Sequence, residues 1–301
     1  MQNGNCDTRE VVADERVWST EGKTVNEKIT IPALWQMKRE GRKIVGVVAW
    51  DYQMAQIVDR AGVEIVSVGD SVGINLWGQP NPLEVTMEEM IIVSKAVRRG
   101  VKRALVSVDL PFGPLQEGTE SALLAVTRLV KESEADMVKL DGAADFLETV
   151  TAITREGIPV FAQFGITPQT SLRYGIEYSA MLSPGAELPA ELTAKFVEAG
   201  RQLEKAGASL LDFTHSGPAA GAAVVSATTI PVMGGLGGGP WLDGRMRMAH
   251  AAIGYAASML DSRTETYADV ARTTLDAITA YAEDVRAGRQ IKSGNSTKTA
   301  L

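Results

Sequence analysis

The chain has 301 residues but only one cysteine, Cys6, and two histidines, His215 and His250. A lone thiol makes neither an internal disulfide nor a thiolate metal cage, so a stapled secreted scaffold is excluded and a reducing compartment is expected. No apolar run reaches the ~18 residues needed to cross a bilayer. The start, Met1-Gln-Asn-Gly-Asn-Cys-Asp7, lacks the basic lead and apolar middle of a secretory signal. The expectation is a cytoplasmic protein with no membrane partner. A formal charge of -7 argues against nucleic acid as a partner. Low-complexity segments and domain linkers are also missing, and a hydrophobic content of 45% is enough for one large core.

What is there is a repeated alternation of short apolar runs and amphipathic stretches. The runs predict strands at 43–50, at 66–70, at 105–109, at 137–141, at 159–165, at 209–214, at 230–234 and near 246–253. Several are apolar on consecutive positions and rich in β-branched residues, as parallel strands covered on both faces should be. Helices are predicted after Thr30, over 51–61, from the cap Thr86 to Arg99, and over 117–135, 144–155, 191–206 and 267–287. Eight alternations with short connections favour an α/β fold of one (β/α)8 TIM barrel over an open doubly wound sheet. Residues 1–29 read as a polar arm, 30–288 as the barrel with an N-terminal capping helix and a closing C-terminal helix, and 289–301 as a polar tail.

Three of the strands end on a carboxylate: Asp70, Asp109 and Asp141. The C-terminal strand ends of such a barrel line its mouth, so acids delivered there from consecutive strands can converge on one cation. All-oxygen ligation suits Mg²⁺ or another hard divalent ion. Any one of these acids, taken singly, also fits a helix cap.

Several motifs occur in order along the chain: Ala-Trp-Asp-Tyr at 49–52, Val-Gly-Asp-Ser-Val-Gly at 68–73, Ala-Val-Arg-Arg-Gly at 96–100 and Asp-Leu-Pro-Phe at 109–112. Val-Lys-Leu-Asp-Gly at 138–142, Gly-Ile-Thr-Pro-Gln at 165–169, and Asp243-Gly244 followed by His250 complete the set. Together they resemble the ketopantoate hydroxymethyltransferase family, of the phosphoenolpyruvate mutase and isocitrate lyase group of barrels. The resemblance runs from about Ile31 to Gly288. It implies Mg²⁺-dependent transfer of a one-carbon unit from 5,10-methylenetetrahydrofolate to the enolate of a 2-oxo acid, 3-methyl-2-oxobutanoate, on the route to pantothenate. It also implies a homo-oligomer, often a decamer. Carried over by residue, Asp70 and Asp109 match the metal and metal-water ligands. Asp141 stands where the family has a glutamate, and reaches the ion directly or through water. Ser71 matches a serine that binds the substrate carboxylate, and Lys139 a lysine beside the same 2-oxo acid.

The departures cluster around the substrate rather than the metal. Thr214 stands where the family has its proposed acid/base glutamate, Gln163 replaces a histidine, and Trp50 replaces a tyrosine. A threonine hydroxyl is a poor base near neutrality, so synthesis of ketopantoate itself is expected to be slow or absent. Two neighbours can restore proton transfer: His215, whose imidazole titrates near neutrality when unperturbed, and Asp212, two residues back on the same side of the strand. His250 reads as a structural hydrogen-bonding residue. Trp77 and Trp241, in expected mouth loops, are candidates for stacking on an aromatic ligand or for plain packing. The glycine-rich loop 234–239 lacks a P-loop lysine and reads as a tight turn that lets ligand approach the backbone. The acceptor is therefore 3-methyl-2-oxobutanoate or an altered 2-oxo acid, and the donor methylenetetrahydrofolate or formaldehyde. A metal-dependent C–C lyase or aldolase is the alternative reading, and a non-catalytic relative a third.

Overall fold

A computed structural model describes residues 27–175, 192–235, 238–261 and 265–289. Most of the expected arm, part of the insertion before the 191–206 helix, the tip of the glycine-rich loop and nearly all of the tail lie outside the described residues. Eight parallel strands close in sequence order: β1 (Ile44–Val48), β2 (Ile65–Val68), β3 (Leu105–Asp109), β4 (Met137–Leu140), β5 (Val160–Gly165), β6 (Leu210–Thr214), β7 (Val232–Gly234) and β8 (Gly244–Met248). β8 pairs with β1 to complete the α/β barrel. The helices are α1 (Ile31–Arg39), α2 (Tyr52–Arg60), α3 (Val72–Trp77), α4 (Met87–Gly100), α5 (Pro114–Glu117), α6 (Thr119–Ser133), α7 (Leu147–Arg155), α8 (Thr193–Lys205), α9 (Pro218–Ala227), α10 (Ala249–Ala252) and α11 (Val270–Arg286).

The barrel interior is layered by the strand's period of two. Its floor takes one side chain from each strand: Ile44, Ile65, Leu105, Met137, Phe161, Leu210, Met233 and Met246. Leu34 and Met37 of α1 pack into the same cluster, so this helix plugs the bottom of the barrel. α1 starts where Thr30 Oγ1 accepts a hydrogen bond from Ala33 N, with Pro32 in the first turn. Three side-chain bonds seat it: Trp35 Nε1 donates to the Ser209 carbonyl at 2.9 Å, and Lys38 Nζ to those of Ile230 at 2.9 Å and Val225 at 3.1 Å. One layer above the floor the inward residues turn polar, with Ser67, Ser107, Lys139, Gln163 and Asp212 all buried. The outer faces of the strands form a second cluster with the surrounding helices.

Local signals set most boundaries. Thr86 begins α4 with a reciprocal capping box, its hydroxyl accepting from Glu89 N at 3.2 Å while Glu89 Oε2 accepts from Thr86 N at 2.8 Å. Asp51 caps α2 rather than starting it, accepting from Met54 N at 2.8 Å. The expected 117–135 helix is two helices, α5 and α6, separated at Gly118, whose φ of 118° only glycine adopts freely. The expected 144–155 helix opens as a 3₁₀ turn, Ala143–Asp145, before α7.

Strand eight is the clearest correction. It runs over Gly244–Met248, and the residues expected to continue it form α10. Arg245 and Arg247 do not interrupt the strand; they are its exposed outward face, while Gly244 and Met246 point inward. Neighbouring Val45 on β1 is 47% exposed, so this flank of the barrel meets solvent where a covering helix would bury it. α11 buries only Ala271 and carries an exposed apolar stripe of Leu275, Ile278, Tyr281 and Val285. Trp241 packs on α9: a Cβ on Gly221 in that helix would lie 2.4 Å from its ring, in line with plain packing, one of its two expected roles.

Because Leu34 is fully buried in the floor, Leu34→Ala is expected to cost about 2–5 kcal/mol by transfer and cavity formation. Urea denaturation checks this, and unchanged stability would mean that α1 does not seal the barrel.

Candidate active site

The C-terminal strand ends gather the acids that the sequence singles out. Asp109 is the last residue of β3 and pairs in register with Lys139 of β4, whereas Asp70 and Asp141 follow the ends of β2 and β4. All three carboxylates are buried, each only 7% exposed. Gly69 permits their approach: a Cβ there would lie 2.8 Å from Ser71 Oγ and 3.7 Å from Asp109 Oδ2. Ser71, half-buried beside this peptide, makes no capping bond to α3.

Lys139 joins the acids to the polar layer below. Its Nζ lies 3.3 Å from Asp109 Oδ2, 2.5 Å from Gln163 Oε1 and 3.6 Å from Asp212 Oδ2. Asp212 Oδ1 accepts from Gly235 N at 3.0 Å. Asp109 Oδ2 also accepts from Asp70 N at 3.4 Å. Gln169, the last residue of the Gly-Ile-Thr-Pro-Gln motif, bridges two of the acids. Its Nε2 donates to Asp70 Oδ2 at 2.9 Å, and its backbone N to Asp141 Oδ2 at 3.2 Å. Thr167 adds a side-chain bond to Asp141. The Ile-Thr-Pro-Gln segment was the available signal, but nothing in its pattern points an amide at two carboxylates.

Burial dominates the electrostatics. It pushes Asp70 up to about 7, reinforced by the charges of Asp109 and Asp141 and opposed by Lys139 and Gln169. Asp141 rises to about 6 by burial, against the hydrogen bond from Thr167 and the charge of Lys139. Burial also raises Asp109 and Asp212, both opposed by Lys139. For Lys139 burial favours the neutral amine, but the charges of Asp109, Asp212, Asp70 and Asp141 outweigh it and hold the ammonium protonated. The mouth therefore holds more negative charge than it can balance by itself.

As the side chains stand, no three acidic, histidine or cysteine groups close into a metal cage among the described residues. Yet Asp109 Oδ1 and Asp141 Oδ1 are buried without any hydrogen-bond partner, an arrangement that a cation would relieve. A hard divalent ion that keeps part of its water shell needs only one or two direct carboxylates. The donor set of Asp70, Asp109 and Asp141 fits such an ion.

The other expected site residues divide. Gln163 and Asp212 meet Lys139 inside the barrel. Thr214 is fully buried, with Oγ1 donating to the Phe164 carbonyl at 2.8 Å, so its hydroxyl is engaged with the barrel wall. His215 is buried with φ of 55°, and Nδ1 lies 2.9 Å from the Ile166 carbonyl. Trp50 is buried beside the mouth and donates from Nε1 to the Gly69 carbonyl at 3.2 Å. His250 meets the Trp50 ring edge-on at 4.9 Å and Tyr255 at 4.6 Å. Burial lowers the His250 pKa, with Asp51 opposing.

A closed parallel barrel with buried acids and a lysine at its C-terminal mouth has the architecture of a (β/α)8 enzyme. The sequence profile of the ketopantoate hydroxymethyltransferase family matches residues 28–290. The 3-methyl-2-oxobutanoate hydroxymethyltransferase of Parabacteroides distasonis is 36% identical over 261 residues, covering 87% of this chain and 93% of its own. That of Bacteroides fragilis is 37% identical over 259 residues, covering 86% and 92%. The chain belongs to the ketopantoate hydroxymethyltransferase family, a family of transferase enzymes. Among solved structures, phosphonopyruvate hydrolase complexed with oxalate and Mg²⁺ superposes with a TM-score of 0.55 at 14% identity, covering 90% of this chain and 92% of that one. 2,3-Dimethylmalate lyase, of the PEP mutase/isocitrate lyase superfamily, gives 0.55 at 13%, covering 89% and 91%. At those identities the likeness is one of fold. No helix among the described residues is long and apolar enough to cross a membrane.

Asp70 has an ordinary pKa of 3.8 and a folded value of about 7, so its contribution to stability is present below pH 4 and is lost as pH rises through 7. Metal-free Asp70→Asn is therefore expected to be more stable than the wild type at pH 8, with Tm higher by about 2–4 °C per kcal/mol recovered. Thermal unfolding in a chelator checks this; a lower Tm for the variant at pH 8 would contradict the charge reading.

Proposed function

We propose that this chain transfers a hydroxymethyl group to the enolate of a 2-oxo acid, with Mg²⁺ as its resident ion and 5,10-methylenetetrahydrofolate as donor. The observation that carries this reading is the buried convergence of Asp70, Asp109, Asp141 and Lys139 at the mouth of a barrel of this family. Asp70 and Asp109 would hold the ion, with Asp141 reaching it directly or through water. When bound, Mg²⁺ supplies Lewis acidity toward the keto and carboxylate oxygens of the substrate.

The protein's own groups do the rest. The Ser71 hydroxyl binds the substrate carboxylate, and the Lys139 ammonium, aimed by Gln163, offsets negative charge as C3 loses its proton. That proton passes to Asp212. This carboxylate faces the barrel interior beside Lys139, and burial raises its basicity, whereas the Thr214 hydroxyl is already donated to a backbone carbonyl. The deprotonated C3 then attacks the one-carbon unit: a new C–C bond and a C–O bond to water's oxygen replace its two C–N bonds to the folate, and the proton held by Asp212 together with water's proton goes to the two released nitrogens. Trp50 packs beside the substrate. The acid function of strand six is thus moved one layer deeper.

Hydrogen exchange at C3 of 3-methyl-2-oxobutanoate in D₂O with Mg²⁺, followed by NMR, tests the proton step without a donor. Asp212→Asn is expected to slow exchange about 10²- to 10⁴-fold, while His215→Asn keeps it within a small factor. The reverse ranking would make His215 the base. Absence of wild-type exchange with this acid and with a panel of other 2-oxo acids would overturn the enolate reading.

The protein acts as a homo-oligomer in this proposal. The apolar stripe of α11 and the bare flank of β8 and β1 support that reading, since a lone chain gains nothing by exposing them. Ile278, at 61% exposure, is the probe. Light scattering should give a multiple of the chain mass for the wild type and a smaller species for Ile278→Glu; a monomeric wild type would contradict it.

A further inference from the structure

The peptide unit joining Gly69 to Asp70 is held at both ends. Its carbonyl accepts from Val72 N at 3.0 Å and from Trp50 Nε1 at 3.2 Å, the latter a buried bond from outside the loop, and its N–H donates to Asp109 Oδ2 at 3.4 Å. Displacing this unit carries the Asp70 Cα, and with it the Asp70 carboxylate, relative to Asp109. The side facing the acids has no slack, because a Cβ on Gly69 would stand 2.8 Å from Ser71 Oγ and 3.4 Å from Val48. On the far side the indole is itself braced. His250 abuts it edge-on, with 64° between the rings, and Tyr255 packs on His250, whose carbonyl accepts from Tyr255 N at 2.9 Å. The chain leaving β8 therefore buttresses the loop leaving β2.

We infer that Trp50 is a positioning residue for the acid pair. Its indole N–H, acting with the local Val72 N–H, fixes the Gly69–Asp70 peptide and so tunes the spacing of the Asp70 and Asp109 carboxylates, with His250 holding the indole in place. This rests on the reading of Asp70 and Asp109 as ligands of a divalent ion. Packing alone would be served by any large ring at position 50. The N–H aimed at the backbone of the ligand-bearing loop is what a plain core aromatic does not need. A pair of acids preset in this way loses less freedom on binding than one on an untethered turn.

Mn²⁺ titration of the metal-free protein, followed by the EPR signal of the free ion, tests the inference without turnover. Trp50→Phe keeps the ring and deletes the donor. It is expected to raise the Mn²⁺ Kd about three- to tenfold, the worth of one net hydrogen bond. Leu34→Ala, in the barrel floor, is the control: it lowers thermal stability but should leave the Kd at the wild-type value. A general loss of stability would weaken binding in both variants, and that outcome overturns the inference. If Trp50→Phe fails to fold, His250→Ala removes the brace alone and should weaken binding by about twofold or more. Wild-type affinity in these variants, with affinity lost in Asp109→Asn, defeats the positioning role. Wild-type affinity in Asp109→Asn defeats the metal reading beneath it.

Discussion

One ammonium faces four buried carboxylates at the top of this barrel. Lys139 stands within 3.6 Å of Asp109 and Asp212, with Asp70 and Asp141 close enough to act on its charge. Taking ionised groups out of water is costly unless they are paired, and here the pairing is incomplete. The imbalance appears in two independent ways. Burial lifts Asp70 to about 7 and Asp141 to about 6. Separately, one oxygen on each of Asp109 and Asp141 has no hydrogen-bond partner. A fold does not acquire such a cluster for its own stability, because apolar side chains would fill the same space at lower cost. In the proposed function, positive charge from outside the chain would resolve the imbalance.

The remainder of the structure makes that concentration tolerable. The floor of eight apolar side chains sealed by α1 carries the packing, so the layer above is free to be polar. Gln169 spans Asp70 and Asp141 from the loop after β5, and Gly235 supplies a backbone donor to Asp212 from the loop after β7. These neutral donors separate like charges without cancelling them. The strand-six acid follows the same logic. By the family resemblance Thr214 stands where a carboxylate is expected; its hydroxyl is bonded to the barrel wall, while Asp212 lies a layer deeper, where Lys139 partly offsets its charge.

The elements most legible in the sequence were those whose signals are local and unusual. A charge closing a β-branched apolar run is rare in a buried strand, so β2, β3 and β4 and their acids could be read directly, and ordered motifs located Lys139 and Ser71. β8 was misplaced because its alternating arginines break the pattern of a strand covered on both faces, and the sequence does not say that this flank meets solvent. Gln169 escaped because a loop amide has no periodicity; only the folded chain brings it to two acids separated from it by 99 and 28 residues. In both misses, what decided the outcome was long-range surroundings that local composition cannot name.

The mouth carboxylates are proposed to hold a divalent cation. Anomalous diffraction from a crystal soaked in Mn²⁺ tests it directly. The expected result is one strong peak between Asp70 and Asp109, with Asp141 approaching it directly or through a water. A peak elsewhere, or none beside these acids at saturating Mn²⁺, would contradict the account.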